Sequence, residues 1–189
     1  MTALNQLTSW LTRRLSNPAR GFGRASVGEP TVFGARRPGF PFPVVSSTTV
    51  DRWIQFMQSQ QIGRVVCLLP QRQLAGYSHL LEAYMQSFGT SNVCWSPIED
   101  FTLADATALT QVILPFLANA DQHQQRVVVH CSGGVGRTGH ILAAWLVSFR
   151  GLSNEQAIQA VRQAGRNPRE SRDPGLDQLL DRCRSGFAA

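Results

Sequence analysis

VVVHCSGGVGRTGHILAAWLV, residues 127–147, passes from β-branched residues through a histidine and a cysteine into three glycines, an arginine and a threonine, and then into a long apolar run. The residues before the turn, RVVVH (126–130), form the continuous apolar strand expected of a sheet covered on both faces. Those after it, 138–149, read as an apolar helix. In an open α/β sheet, ligands bind where the carboxyl end of a strand turns into a helix. Gly133, Gly134 and Gly136 permit backbone conformations closed to other residues and remove side chains from a close approach. Amide N–H groups can then converge on one point that the positive end of the helix also faces, which makes an anion cradle. Arg137 adds a bidentate fork, and Cys131 stands at the mouth. Thiols at helix N-termini beside cations titrate at roughly 3.5 to 7.5, against about 8.5 for free cysteine. The arrangement makes sense as a thiolate beneath a bound phosphate.

Outward from this turn the chain alternates strands and helices. PTVFGARRPGF (30–40) reads as a strand entering a Gly/Pro loop. Residues 50–61 place Val50, Trp53, Ile54 and Met57 on one helical face, with Gly63 as the stop. RVVCLL (64–69) and NVCWSPI (92–98) read as strands, and between them Ser78 is the expected cap of a helix carrying Leu80, Leu81, Tyr84, Met85 and Phe88 on one side. Residues 103–122 predict a long helix with a kink at Pro115. A helix opened by a Ser153/Gln156 capping box and closed by Gly165 follows, then a last helix over 176–182. The alternation predicts an α/β fold, with a central, mainly parallel sheet flanked by helices.

The 189 residues suffice for one domain with a real core. Residues 1–28 stand apart as a basic N-terminal extension, bearing Arg13, Arg14, Arg20 and Arg24 and no acidic residue. Leu4, Leu7, Trp10, Leu11 and Leu15 there predict a short amphipathic helix, with a targeting leader as the alternative. No run is long enough and apolar enough for a membrane span. Cys67, Cys94, Cys131 and Cys183 lack the spacing of a zinc site or a disulfide framework, so a reducing, cytoplasmic setting is expected. All positive side-chain charge comes from arginine, the net charge is +6, and the arginines are scattered without interleaved aromatics. Nucleic acid is therefore not expected as a partner.

His130, Cys131, Gly134, Arg137 and Thr138 in HCSGGVGRTG resemble the signature loop of the cysteine-based protein tyrosine phosphatases: histidine and cysteine, five residues, then arginine and serine or threonine. A nucleotide-binding loop would want a lysine, and the rhodanese-like loop is one residue shorter. SPIEDFTLAD (96–105) is similar to the general-acid loop of the small atypical dual-specificity members, which points to Asp100 before Phe101, with Glu99 and Asp105 as rivals. The resemblance covers residues 29 to about 185, so 29–189 is taken as the phosphatase domain.

It implies a cysteinyl-phosphate mechanism. Cys131 is the nucleophile, Asp100 the acid and then the base, and Arg137 with the backbone of Ser132, Gly133, Gly134, Val135 and Gly136 holds the phosphate. Thr138 donates to the sulfur, and His130 orients the loop from behind. The implied substrate is a phosphorylated protein or peptide, carrying phosphotyrosine with or without phosphoserine and phosphothreonine, handled by a monomer. Lipid, nucleotide or RNA 5′-end phosphates, and a dead phosphate-binding module, are the alternatives. No cofactor or metal is called for, and His79, His123 and His140 lack ligand spacing. Arg36 and Arg37 read as a solvated pair, with substrate contact as the alternative, and Arg166 and Asn167 receive no role. Cys67 stands where some lipid-phosphatase relatives carry a cysteine that forms a protective disulfide with the nucleophile, although a small buried apolar residue is the plainer reading.

Overall fold

Val127, Val128 and Val129, stiff at χ1 and suited to a pleated surface, lie in the middle strand of the sheet. The structure, a computed structural model, describes residues 16–185, with the side chain of Ser185 excepted. The predicted helix over 4–15 lies outside the described residues. Strand β5 (Arg126–Cys131) is flanked by β2 (Val32–Arg36) and β3 (Ile62–Cys67), and β4 (Val93–Trp95) lies beyond β3. These four run parallel, while the short edge strand β1 (Gly23–Arg24) pairs antiparallel with β2. The mainly parallel sheet is as expected, and β1 is drawn from the basic stretch before residue 29. Phe22, just ahead of β1, stacks on Phe33 with ring centroids 5.4 Å apart.

Alternation along β5 divides the core in two. Val128 joins Val65, Cys67 and Leu69 in a cluster against α1 (Ser47–Ser59) and α3 (Leu80–Phe88). Val127, Val129 and Cys131 face the larger cluster, which contains α5 (Gly136–Phe149). That helix is buried at every position from Gly136 to Val147, as an apolar helix of this kind must be. It is enclosed by β5, by α6 (Asn154–Gln163), by a 3₁₀ turn at Pro168–Glu170 and by α7 (Leu176–Ser185). A Cβ on Gly139 would meet Pro168 N at 3.0 Å, so the helix backbone approaches the turn directly.

Several boundaries differ from the expectations. Helix α1 begins at Ser47 and ends at Ser59, and Gly63 lies inside β3, where the pairing with β5 shifts register between Ile62 and Arg64. A four-residue helix, α2 (Gln71–Leu74), follows Pro70, and α3 has His79 rather than Ser78 at its N-cap. Pro115 does not break the long helix, α4, which runs as Ala106–Ala108, a π-helical Leu109–Ile113 and Leu114–Gln122. Wider i→i+5 bonding before the proline accommodates its missing N–H and its ring. The capping box at Ser153 is present: Gln156 N donates to Ser153 Oγ at 3.2 Å, and Ser153 N donates to Gln156 Oε1 at 2.9 Å.

Candidate active site

Cys131 is the last residue of β5, Gly136 opens α5, and residues 132–135 form the turn between them. Gly134 has φ +71°, and a Cβ there would lie 2.5 Å from the Ala35 carbonyl oxygen, so only glycine lets the turn pack on the end of β2. Gly136 is constrained as well, because a Cβ there would meet the Glu170 side chain. The turn is pinned to the β2 exit by Arg37 N, which donates to the Ser132 carbonyl at 3.1 Å. The positive end of α5 therefore faces the thiol.

Cys131 is 2% exposed, and Thr138 Oγ1 donates to its Sγ at 3.2 Å. Arg137 is buried beside it; Nη1 donates to the Ile98 carbonyl at 3.0 Å and to Gln73 Oε1 at 3.1 Å, while Nη2 lies 3.0 Å from Asp100 Oδ1. Its Nε is buried without a partner among the described residues. Asp100 is thus brought from a distant loop to the mouth of the turn, its side chain 37% exposed. Glu99 faces away and pairs with Arg72 at 2.7 Å, and Asp105 caps α4 by accepting from Ala108 N at 3.0 Å. Among the three acidic candidates, only Asp100 pairs with Arg137.

His130 points to the opposite side of the sheet from Cys131. Its Nε2 lies 3.2 Å from Tyr84 Oη, its Nδ1 3.4 Å from the Cys131 carbonyl, and its ring packs against Trp53 and Tyr84. Burial pushes this imidazole down to about 3, so it is neutral and touches the turn through backbone. His140, which lacks ligand spacing in the sequence, is buried one turn into α5 and held down to about 4, again chiefly by burial. Its Nε2 accepts from Ala104 N at 3.1 Å, tying the segment that follows Asp100 to helix α5.

The reading of Arg37 changes, Arg166 gains a role, and Cys67 keeps its plainer reading. Arg37 is not solvated: it is 8% exposed and its Nε donates to Ser132 Oγ at 3.3 Å, whereas Arg36 is half-buried over the Phe40 ring. Arg166 is also buried and donates to the carbonyls of Gly21, Gly23, Gly34 and Ala164, with burial lowering it to about 10. A Cβ on Gly34 would collide with it, so the arginine rivets β1 to β2 through a glycine gap. Cys67 pairs with His130 in register and belongs to the smaller cluster, with Cys131 in the larger. The two thiols lie in clusters on opposite faces of the sheet, burial pushes Cys67 up to about 12, and the plainer reading of Cys67 as a small core residue is kept. Gln73 and Tyr77 escaped the sequence reading; their one signal was a position just past the carboxyl end of β3, the edge where sites gather.

The described residues contain no helix long and apolar enough to cross a membrane. Comparison with known proteins agrees with the geometry. Residues 49–180 match the family model "Dual specificity phosphatase, catalytic domain". Protein tyrosine phosphatase domain-containing protein 1 of Bos taurus is 29% identical over 107 residues, which are 56% of this chain but 13% of that protein. The chain therefore corresponds to a small part of that relative. Among solved structures, a mutant form of Tk-PTP superposes with TM-score 0.63 at 25% identity, covering 84% of this chain and 92% of that one. PTPMT1 in complex with PI(5)P has the same fold, with TM-score 0.67 at 14% identity over 88% of this chain and 96% of the other. With a family match over more than half of its length, and a cysteine, an arginine and a threonine gathered in one turn at the end of a parallel strand, the chain belongs to the dual-specificity phosphatase catalytic-domain family of the cysteine-based protein tyrosine phosphatase superfamily.

Proposed function

We propose that residues 29–189 hydrolyse phosphotyrosine, and with it phosphoserine and phosphothreonine, in proteins or peptides, acting as a monomer in the cytoplasm. The observation that carries this reading is the pairing of Arg137 with Asp100 at 3.0 Å, next in sequence to a threonine that donates to the Cys131 thiol at 3.2 Å. A phosphate monoester entering the turn competes with Asp100 for the Arg137 fork, because two terminal oxygens match the guanidinium geometry. Displaced from the guanidinium, the Asp100 carboxylate takes up a proton from solvent and turns to the leaving oxygen. The Cys131 thiolate attacks phosphorus in line; the S–P bond forms as the P–O bond breaks, and Asp100 gives its proton to the departing alcohol or phenol. Water then attacks the cysteinyl phosphate with Asp100 as base, phosphate is released and the thiolate returns, helped by the Thr138 hydroxyl. Arg137 and the amides of residues 132–137 hold the equatorial oxygens, where transition-state charge is spread.

The test is turnover of para-nitrophenyl phosphate, followed by a panel of phosphotyrosyl and phosphothreonyl peptides, with Cys131→Ser retaining the peptides it does not cleave. A wild type that releases no phosphate from any of these ends the reading. The fold shared with a protein solved with PI(5)P is the reason to add a phosphoinositide. Preference for it over phosphopeptide would move the substrate to lipid, although Ser132–Gly136 offer that headgroup no basic side chain.

A further inference from the structure

Arg37 spends its five N–H groups inside the protein. Nε donates to Ser132 Oγ at 3.3 Å, Nη1 to Tyr77 Oη at 2.8 Å and to the Pro38 carbonyl at 3.2 Å, and Nη2 to the carbonyls of Phe42 at 2.7 Å and Pro41 at 3.5 Å. Every partner is neutral. Tyr77 in turn donates to the Pro38 carbonyl at 2.7 Å, and burial raises its phenol to about 12, so the ring does not supply the missing negative charge. Among the described residues no carboxylate forms an ion pair with Arg37. A guanidinium taken from water costs several kcal/mol unless an anion compensates it. Here it is anchored by its own backbone N–H and its side chain to Ser132, the residue after the nucleophile.

We propose that Arg37 is a positioning residue of the phosphate turn, whose uncompensated charge takes the bound phosphate as its counter-ion while its side chain fixes Ser132. Arg37 does not reach the substrate; it acts through Ser132 and through its field. Tyr77 and the Pro38, Pro41 and Phe42 carbonyls hold the guanidinium in place, so the charge is not free to swing out into water. The inference rests on reading residues 131–137 as a phosphate site, and it explains why an arginine that sequence alone leaves in solvent is enclosed.

Inorganic phosphate is the probe, and its affinity is measured by calorimetry on the full chain together with the thermal unfolding midpoint. Arg37→Met is expected to weaken phosphate binding about tenfold, the size of an unscreened charge about 12 Å from the anion at an effective dielectric near 20. Arg37→Lys, which returns the charge, is expected to recover most of the loss. Arg52→Met removes the same charge from an exposed site whose partners are Thr48 and Thr49, and leaves the affinity unchanged. A folded Arg37→Met protein that binds phosphate like the wild type overturns the proposal and assigns Arg37 to stability alone. If that variant does not fold, Arg37→Gln, which keeps polar reach to Ser132, is read against the same outcomes. Wild type that binds phosphate without hydrolysing any ester would end the enzymatic reading and leave this one standing.

Discussion

Helix α5 carries an arginine at each end, and the two are built for opposite purposes. At its carboxyl end Arg150 makes two forked contacts: Nε and Nη2 to Glu29 at 2.9 and 3.1 Å, and Nη1 and Nη2 to Asp121 at 3.0 and 2.7 Å. Its guanidinium also lies 4.8 Å over the Trp145 ring. The two carboxylates hold the guanidinium protonated, and Arg150 holds Asp121 below its ordinary range. At the amino end Arg137 has a single carboxylate contact, to a partly exposed side chain, and a buried Nε with no partner among the described residues. The closed cluster joins the entry to β2, the end of α4 and the end of α5. The open one leaves Nε free among the described residues and holds Nη2 through one partly exposed carboxylate, so the two arginines differ in how far their donors are committed.

The largest test of that contrast is chemical. Cys131→Ser should remove about four orders of magnitude or more of aryl phosphate turnover while leaving the thermal midpoint almost unmoved; an active serine variant would mean another nucleophile. Exchanging the two arginines' roles is the next test. Arg137→Met should lower kcat by about a hundred- to a thousandfold with little loss of stability. Arg150→Met strands Glu29, whose side chain is 1% exposed, and should cost about 3–5 kcal/mol of stability with kcat of the folded protein kept. Equal effects of the two substitutions on kcat and stability would abolish the distinction.

Acid should separate the two regions in sequence. His130 and His140 have folded values near 3 and 4 against 6.5 unfolded, so the unfolded chain binds protons that the fold refuses. Their contribution is whole above pH 6.5 and is lost as pH falls, at about 1.4 kcal/mol per unit for each. Asp121 is depressed as a carboxylate, so its contribution is present above pH 3.8 and lost only below it. Unfolding midpoints should therefore decline between pH 6.5 and 4, and a His130→Gln, His140→Gln double variant that stays folded should flatten that slope. An unchanged slope would remove both imidazoles from the account. The smallest effect is local: Ser153→Ala breaks one arm of the capping box and should cost about 1 kcal/mol, measured by denaturant titration, with turnover unaffected.

Much of the candidate site was legible because its central part is one continuous piece of chain. The glycine spacing of residues 133–136, the strand before it and the helix after it are local features, and local sterics decide them. Asp100 was legible only through resemblance. Its selection over Glu99 and Asp105 in the structure came from Arg72 and the α4 cap, each of which occupies a rival carboxylate. Arg37 was misread because composition treats an arginine in a Gly/Pro loop as solvated, and the fold instead wraps carbonyls 38, 41 and 42 around it. The helix limits at Gly63 and Ser78 moved for a related reason. β3 begins early enough to pair Ile62 with Arg126 and takes Gly63 into the strand, and α3 starts at Leu80.

The order of residues by itself determined that a thiol, a glycine turn and a guanidinium lie at a strand-to-helix junction, since six residues of chain leave Cys131 and Arg137 no room to part. The tertiary structure decided how distant groups meet that junction: it pairs Asp100 and Gln73 with Arg137, binds Arg37 to Ser132, and sets Cys67 on the other face of the sheet. Short-range geometry is written in spacing, whereas pairing across dozens of residues depends on which charges the folded chain leaves without water and which partners it then brings within reach.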